Sequence, residues 1–242
     1  MKNILEKITY SISTIFFGLL AVLFIFILAY SVQKNLIYSY NAKTLISFCK
    51  GNYVGLIAGL ITYLALMPFL LAPRIRYNHN WFMKFTHELT HTLIAVCFFA
   101  KIKEFVVKEK ECYVIYNAGP IGYVPITLAP YCIPIYTLML FPFRFAGDHE
   151  FMIAFDFLIA FTYAFHLHAF IKQTRFTQTD IQGCGYARSV TFIASVHLCI
   201  LSLIIATPNS GVLKALKRVF LIYPADLFSD ITLWFKSIIN LM

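Results

Sequence analysis

No charged residue falls between Lys7 and Lys34, and the 26 residues that separate them are mostly apolar. As one helix this stretch is about 39 Å long at 1.5 Å per residue, more than the ~30 Å hydrocarbon core of a bilayer. The chain is therefore expected to sit in a membrane. The whole composition agrees, because 60% of the residues are hydrophobic and 13% are charged, against roughly 25% charged in soluble domains. A cleaved signal peptide is the competing reading of this first segment. Its apolar core would be shorter, about 7–15 residues, and Ala29-Tyr30-Ser31 is a weak match to a cleavage site.

Five further segments have the length or composition of spans: Val54 to Ala72, Trp81 to Ala100, Ala118 to Phe143, Phe151 to Ile171, and Val190 to Ala206. The segment 118–143 carries Pro120, Pro125, Pro130, Pro134 and Pro142. Each proline removes a backbone donor, so this segment is expected to be kinked or partly unwound. Between the second and third of these segments, Lys101 to Tyr116 mixes β-branched with charged residues and reads as a short hairpin at the membrane surface. Beyond Pro208, Leu213, Leu216 and Phe220 recur at helical spacing against Lys214, Lys217 and Arg218, the pattern of an amphipathic helix lying on a membrane.

The expected fold is thus an all-α polytopic membrane protein of about six transmembrane helices. A short β-hairpin-like segment follows the third helix, and an amphipathic interfacial helix closes the chain. Residues 1–210 form the transmembrane domain and 211–242 the tail. Six alternating spans would place Lys214, Lys217 and Arg218 on the same side as Lys2 and Lys7, and with that distribution the lysine and arginine bias does not decide the orientation.

The net charge of +9 is scattered between apolar runs, which suits anionic lipid and not nucleic acid. The six cysteines show no metal-binding spacing, and Cys97, Cys132 and Cys199, inside apolar runs, read as buried small hydrophobes.

The third segment reads Phe85-Thr86-His87-Glu88-Leu89-Thr90-His91. On a helix, histidines four residues apart share a face and can reach one zinc ion, with the intervening glutamate placed as general base. An ionisable group inside a membrane segment costs at least a few kcal/mol, which argues that Glu88 is there for a reason. The competing reading makes these surface histidines near a helix end beside a snorkelling Lys84. A catalytic zinc takes a third protein ligand, and Asp180, His166, His168, Asp156 and Glu150 are the candidates. Asp180 is also readable as a helix cap or turn residue. His166 and His168 are two apart and point to different sides of a helix. Asp156 lies deep enough to need a partner and is a candidate to support a histidine ligand.

These residues resemble the site-2 proteases, a family of intramembrane zinc metalloproteases. The HExxH at 87–91 lies in an apolar segment, Ala118-Gly119-Pro120-Ile121-Gly122 looks like the Ala-Gly-Pro that opens the next span, and Asp180 follows far downstream beside a later span. The likeness covers roughly residues 80–190. The chain departs from the family at Tyr123, where members often have asparagine, and at Thr179-Asp180-Ile181-Gln182-Gly183 around the aspartate.

The resemblance implies a zinc endopeptidase of membrane-embedded or membrane-proximal substrates. His87, His91 and Asp180 would be the metal ligands and Glu88 the catalytic base. Asn117, His166 and Asp156 are candidates for contact with substrate or support of the ligands. The expected setting is a multi-pass protein of a bacterial-type inner or plasma membrane, whose partners are the lipid bilayer and a membrane protein or peptide substrate. A non-catalytic scaffold or a metal-handling carrier with several intramembrane histidines, His197 among them, is the alternative. A peptidase with Glu150 as third ligand is a further one.

Overall fold

The computed structural model describes residues 2–37, 53–108, 111–146, 151–175 and 177–239. It is mainly helical. In chain order the elements are α1 (Lys2–Val32, continued by a π turn Gln33–Ile37), α2 (Val54–Leu70), α3 (Pro73–Cys97), β1 (Lys101–Val107) and β2 (Cys112–Asn117). Then follow α4 (Pro120–Cys132), α5 (Ile135–Ala146), α6 (Met152–Gln173), α7 (Thr179–Cys184), α8 (Tyr186–Ser210), α9 (Val212–Lys217), a π turn (Arg218–Ile222) and α10 (Tyr223–Ile239).

Three of these helices are long and apolar enough to cross a bilayer: Glu6–Asn35, Met152–Gln173 and Tyr186–Ser210. The proline-rich segment breaks at Ile133–Pro134, and its halves Ile121–Cys132 and Ile135–Ala146 meet at 86°, giving a fourth if the pair is one span. The missing proline donors account for the break. The other two expected spans do not reach the same standard. With 17 residues, α2 is about 25 Å long, and α3 carries His79, Lys84, His87, Glu88 and His91 along its length.

Packing sets the direction of each helix. Tyr10 on α1 lies under the Arg188 guanidinium at the start of α8, and Asn209 at the end of α8 donates to the Asn35 carbonyl at 2.9 Å. Helices α1 and α8 therefore run parallel. So do α2 and α6. A Cβ added at Gly55 would strike the Ile153 carbonyl oxygen, and one at Gly59 the Phe157 carbonyl oxygen, so glycine is what lets the two backbones touch. We expect Gly59→Val to cost about 1–3 kcal/mol and to lower the thermal midpoint in detergent, while Ala58→Val on the exposed side of the same turn leaves it in place.

Both ends of α3 lie where α1 begins. Near its start Asn80 accepts a hydrogen bond from Lys172, close to the end of α6, at 2.7 Å. Just past its end Phe98 packs on Gly122, and the neighbouring Tyr123 hydroxyl approaches Gly183, just before α8. The segment expected as a third span is one unbroken helix of 25 residues and thus lies across that end of the bundle without crossing to the other. This reverses the sidedness expected for the tail: Arg218 donates to Asn35 Oδ1 at 3.4 Å, at the end of the bundle opposite Lys7.

The hairpin is present. β1 and β2 pair antiparallel from Lys101↔Asn117 to Val107↔Cys112, with an irregularity between Ile102 and Glu104. The tail packs by a different face from the one its bulky residues suggested. Ala215, Val219 and Tyr223 are buried against Phe24, Ile27 and Ala206, whereas Leu213, Leu216 and Phe220 point outward. Ala215 and Val219 let the helix approach closely, and Tyr223 is anchored beside them by Asn35, which donates to its hydroxyl at 3.0 Å. Cys97, expected to be buried, is exposed on the last turn of α3, while Cys132 is buried.

Candidate metal centre

His87 and His91 stand one turn apart on α3, with ring centroids 5.0 Å from each other. Asp180, in the first turn of α7, faces both. Its Oδ2 is 4.0 Å from His87 Nε2 and 3.7 Å from His91 Nε2. One ligand atom from each of the three residues falls within 4.8 Å of the others. A tetrahedral zinc with bonds of about 2.0–2.1 Å sets its ligands about 3.4 Å apart, so the triad needs a contraction of roughly an ångström to close on an ion.

The chain fixes these groups by simple means. The helix α7 is bounded by Gly185, whose φ of 81° suits glycine alone among common residues and turns the chain sharply into α8. The Tyr131 hydroxyl donates to Asp180 Oδ2 at 2.9 Å and so aims the carboxylate. Burial tends to raise the Asp180 carboxyl's pKa, but hydrogen bonding and charge from His91, the Tyr131 hydroxyl and the charge of His87 outweigh it and hold the group below its ordinary value.

His91 Nδ1 lies 2.8 Å from the Ile126 carbonyl oxygen. A carbonyl only accepts, so Nδ1 carries a proton, which makes Nε2 the atom that would offer a lone pair to a metal ion. Residue 130, which in an uninterrupted helix would donate to that carbonyl, is a proline and has no N–H to offer. His87 lines the same recess as Gln173 at the end of α6 and is held by the edge of the Tyr131 ring, 5.3 Å away between centroids. We expect Tyr131→Phe to weaken zinc binding about tenfold, as loss of a group orienting a ligand does. Competition with a chromophoric chelator measures it, and unchanged affinity would show that the hydroxyl does not position Asp180.

Glu88 is on the same helix face and only 7% exposed. It opens with the triad into a cleft of about 650 Å³. One wall of the cleft is β2, from Cys112 to Asn117, and Gln178 and Thr179 lie opposite in the same lining. Among the described residues β2 pairs with β1 alone, so its second edge has no strand partner there. Asn117 lines the cleft at the end of that strand.

The remaining candidates fall elsewhere. Asp156, expected to support a histidine ligand, is instead gripped by Arg144, with Nε to Oδ1 at 2.8 Å and Nη2 to Oδ2 at 3.3 Å. A carboxylate buried this deeply requires a cation, and α5 supplies one. His166 is buried against His197, 5.4 Å between ring centroids, and is outside the triad. His168 points the other way, to the Tyr63 hydroxyl at 2.7 Å. Glu150 lies outside the described residues. Tyr131, Gln173 and the Ile126 carbonyl went unrecognised in the sequence, although Pro130 four residues after Ile126 marks a freed carbonyl.

The donor set, two imidazoles and a carboxylate, suits zinc and also Fe(II). No family model matches the chain, and no curated protein or solved structure matches it.

Proposed function

We propose that the protein is a membrane-embedded zinc endopeptidase of the site-2 protease type. The observation that carries the reading is that Asp180, 89 residues beyond His91, stands within 4.0 Å of both histidines of an HExxH helix. His87, His91 and Asp180 would hold the ion. Zinc supplies a Lewis acid there, polarising the scissile carbonyl and bringing the pKa of water toward about 7.

The chain's own residues then have defined tasks. Glu88 takes the proton of the attacking water as its oxygen adds to the carbonyl carbon. It returns that proton to the amine nitrogen as the C–N bond breaks. The outer edge of β2 offers backbone donors and acceptors to an unwound, extended substrate segment, and Asn117 at its end is placed to donate to a substrate carbonyl. The bundle would cross the bilayer through α1, α2, the bent pair α4–α5, α6 and α8, with α3 reaching in from one end and the tail lying along the opposite surface. On this reading the chain makes five crossings where the sequence suggested about six.

The test is cleavage of single-pass helical reporters in liposomes by the purified protein. Cleavage should stop on chelation and return with zinc. Reporters left intact by protein that holds one zinc per chain would refute the reading. A carrier is the second reading, motivated by the further histidine pairs His166/His197 and His79/His168. In each pair one ring is already engaged: His197 Nε2 faces the Tyr131 carbonyl at 2.9 Å, and His168 faces Tyr63. That favours packing over transport. Several exchangeable zinc ions per chain would favour the carrier.

A further inference from the structure

A second lobe, of about 380 Å³, joins the metal cleft. The two share His87, Glu88, Cys112 and Gln178. What the second lobe adds is Lys84, Lys172, Gln173 and Arg175, three cations and an amide. Among the described residues its only carboxylate is Glu88, which already belongs to the metal centre.

The placement of the cations follows from helix geometry. Residues 80, 84, 87, 88 and 91 lie along one stripe of α3 at spacings of three and four, so Lys84 projects from the same face as both histidines. Lys172 donates to Asn80, one turn before Lys84, at 2.7 Å, which draws its ammonium to this stripe. Arg175 sits two residues past the end of α6, in a connection shaped by a hydrogen bond from its backbone N–H to Gln178 Oε1 at 2.9 Å.

Resting on the hydrolytic reading above, we infer that this lobe receives an acidic side chain of the substrate peptide close to the scissile bond. Three cations around one recess attract a carboxylate more strongly than any of them does alone, and the recess is bounded by the metal centre itself. A peptide lying along β2 with its scissile carbonyl near Glu88 can turn one side chain into the lobe. An anionic lipid headgroup has the complementary charge too, but seated there it would stand beside Glu88 and obstruct the peptide. The peptide is therefore the occupant the shared wall favours.

The experiment uses zinc-loaded Glu88→Gln protein in phosphatidylcholine nanodiscs and fluorescent neutral decapeptides in which a single Asp is moved through successive positions, each with an Asn twin. Anisotropy should show one position at which Asp binds about tenfold more tightly than Asn, the sum expected of partly exposed ion pairs, and the preference should shrink with added salt. The double variant Lys84→Gln/Arg175→Gln should reduce it below about twofold with zinc content unchanged. Equal binding of Asp and Asn peptides at every position, or a preference that survives the double variant, overturns the inference. If phosphatidylserine nanodiscs abolish the preference, the lobe belongs to lipid and the peptide assignment is overturned. Turnover by the unsubstituted protein is read separately: a preference without cleavage refutes the hydrolytic reading alone, and cleavage without a preference refutes the lobe alone.

Discussion

Replacing His91 with alanine is expected to take bound zinc from one ion per chain to nearly none after dialysis, with affinity reduced by more than about a hundredfold. Loss of a group that merely orients a ligand costs about 10–100-fold, and a ligand itself should cost more. His91 is the most firmly placed of the three, since its Nδ1 is engaged by the Ile126 carbonyl at 2.8 Å and its side chain is 7% exposed. Elemental analysis of the purified protein measures the effect. His166→Ala is the informative companion: it removes a buried imidazole of the same bundle that is outside the triad, and zinc should remain. Zinc lost equally in both variants would point to general disruption of the bundle and not to a site.

Glu88→Gln is expected to lower kcat by about 10²–10⁴-fold, the range for a positioned general base, while one zinc per chain remains bound. Glutamine has nearly the same shape and can keep the buried packing, but it cannot take a proton from water. Glu88 lies on the cleft face of α3 between the two histidines and is not one of the three metal-facing groups. Metal and catalysis should therefore separate in this variant and fall together in His91→Ala. A Glu88→Gln protein with full peptidase activity and bound zinc would remove Glu88 from the mechanism.

Several parts of this architecture were readable from the chain alone. The charge-free stretch after Lys7 specifies α1 because nothing but a bilayer or another helix accommodates so many exposed apolar side chains. Regularly spaced prolines mark the break between α4 and α5, and the β-branched run 101–116 marks the hairpin. The pairing of His87 with His91 follows from helical periodicity. Asp180 stands among five third-ligand candidates from the residues alone, and the family resemblance singles it out, because nothing local in Thr179-Asp180-Ile181 separates a ligand from a turn aspartate. Its position depends on Tyr131, 49 residues away in sequence, and on the turn at Gly185.

That α3 lies across one end of the bundle was not legible either. Its length suggests a crossing, and only contacts with Lys172 at one end and Gly122 at the other reveal that it does not make one. The tail misled for a related reason. Hydrophobicity ranks Leu213 and Leu216 above Ala215, but at this contact Ala215 and Val219 are the residues that let the backbones approach, and the two leucines stay outside. The depth of Asp156 in its segment calls for a partner, and the partner is Arg144 on α5, which no local pattern announces.

The most direct test of the metal centre is the zinc K-edge absorption spectrum of the purified protein, recorded with and without Asp180→Ala. Two imidazole nitrogens and a carboxylate oxygen at about 2.0–2.2 Å are expected, with four-coordinate geometry and loss or rearrangement of the oxygen shell in the variant. A spectrum without imidazole scattering, or one that Asp180→Ala leaves unchanged, would contradict a centre built from His87, His91 and Asp180.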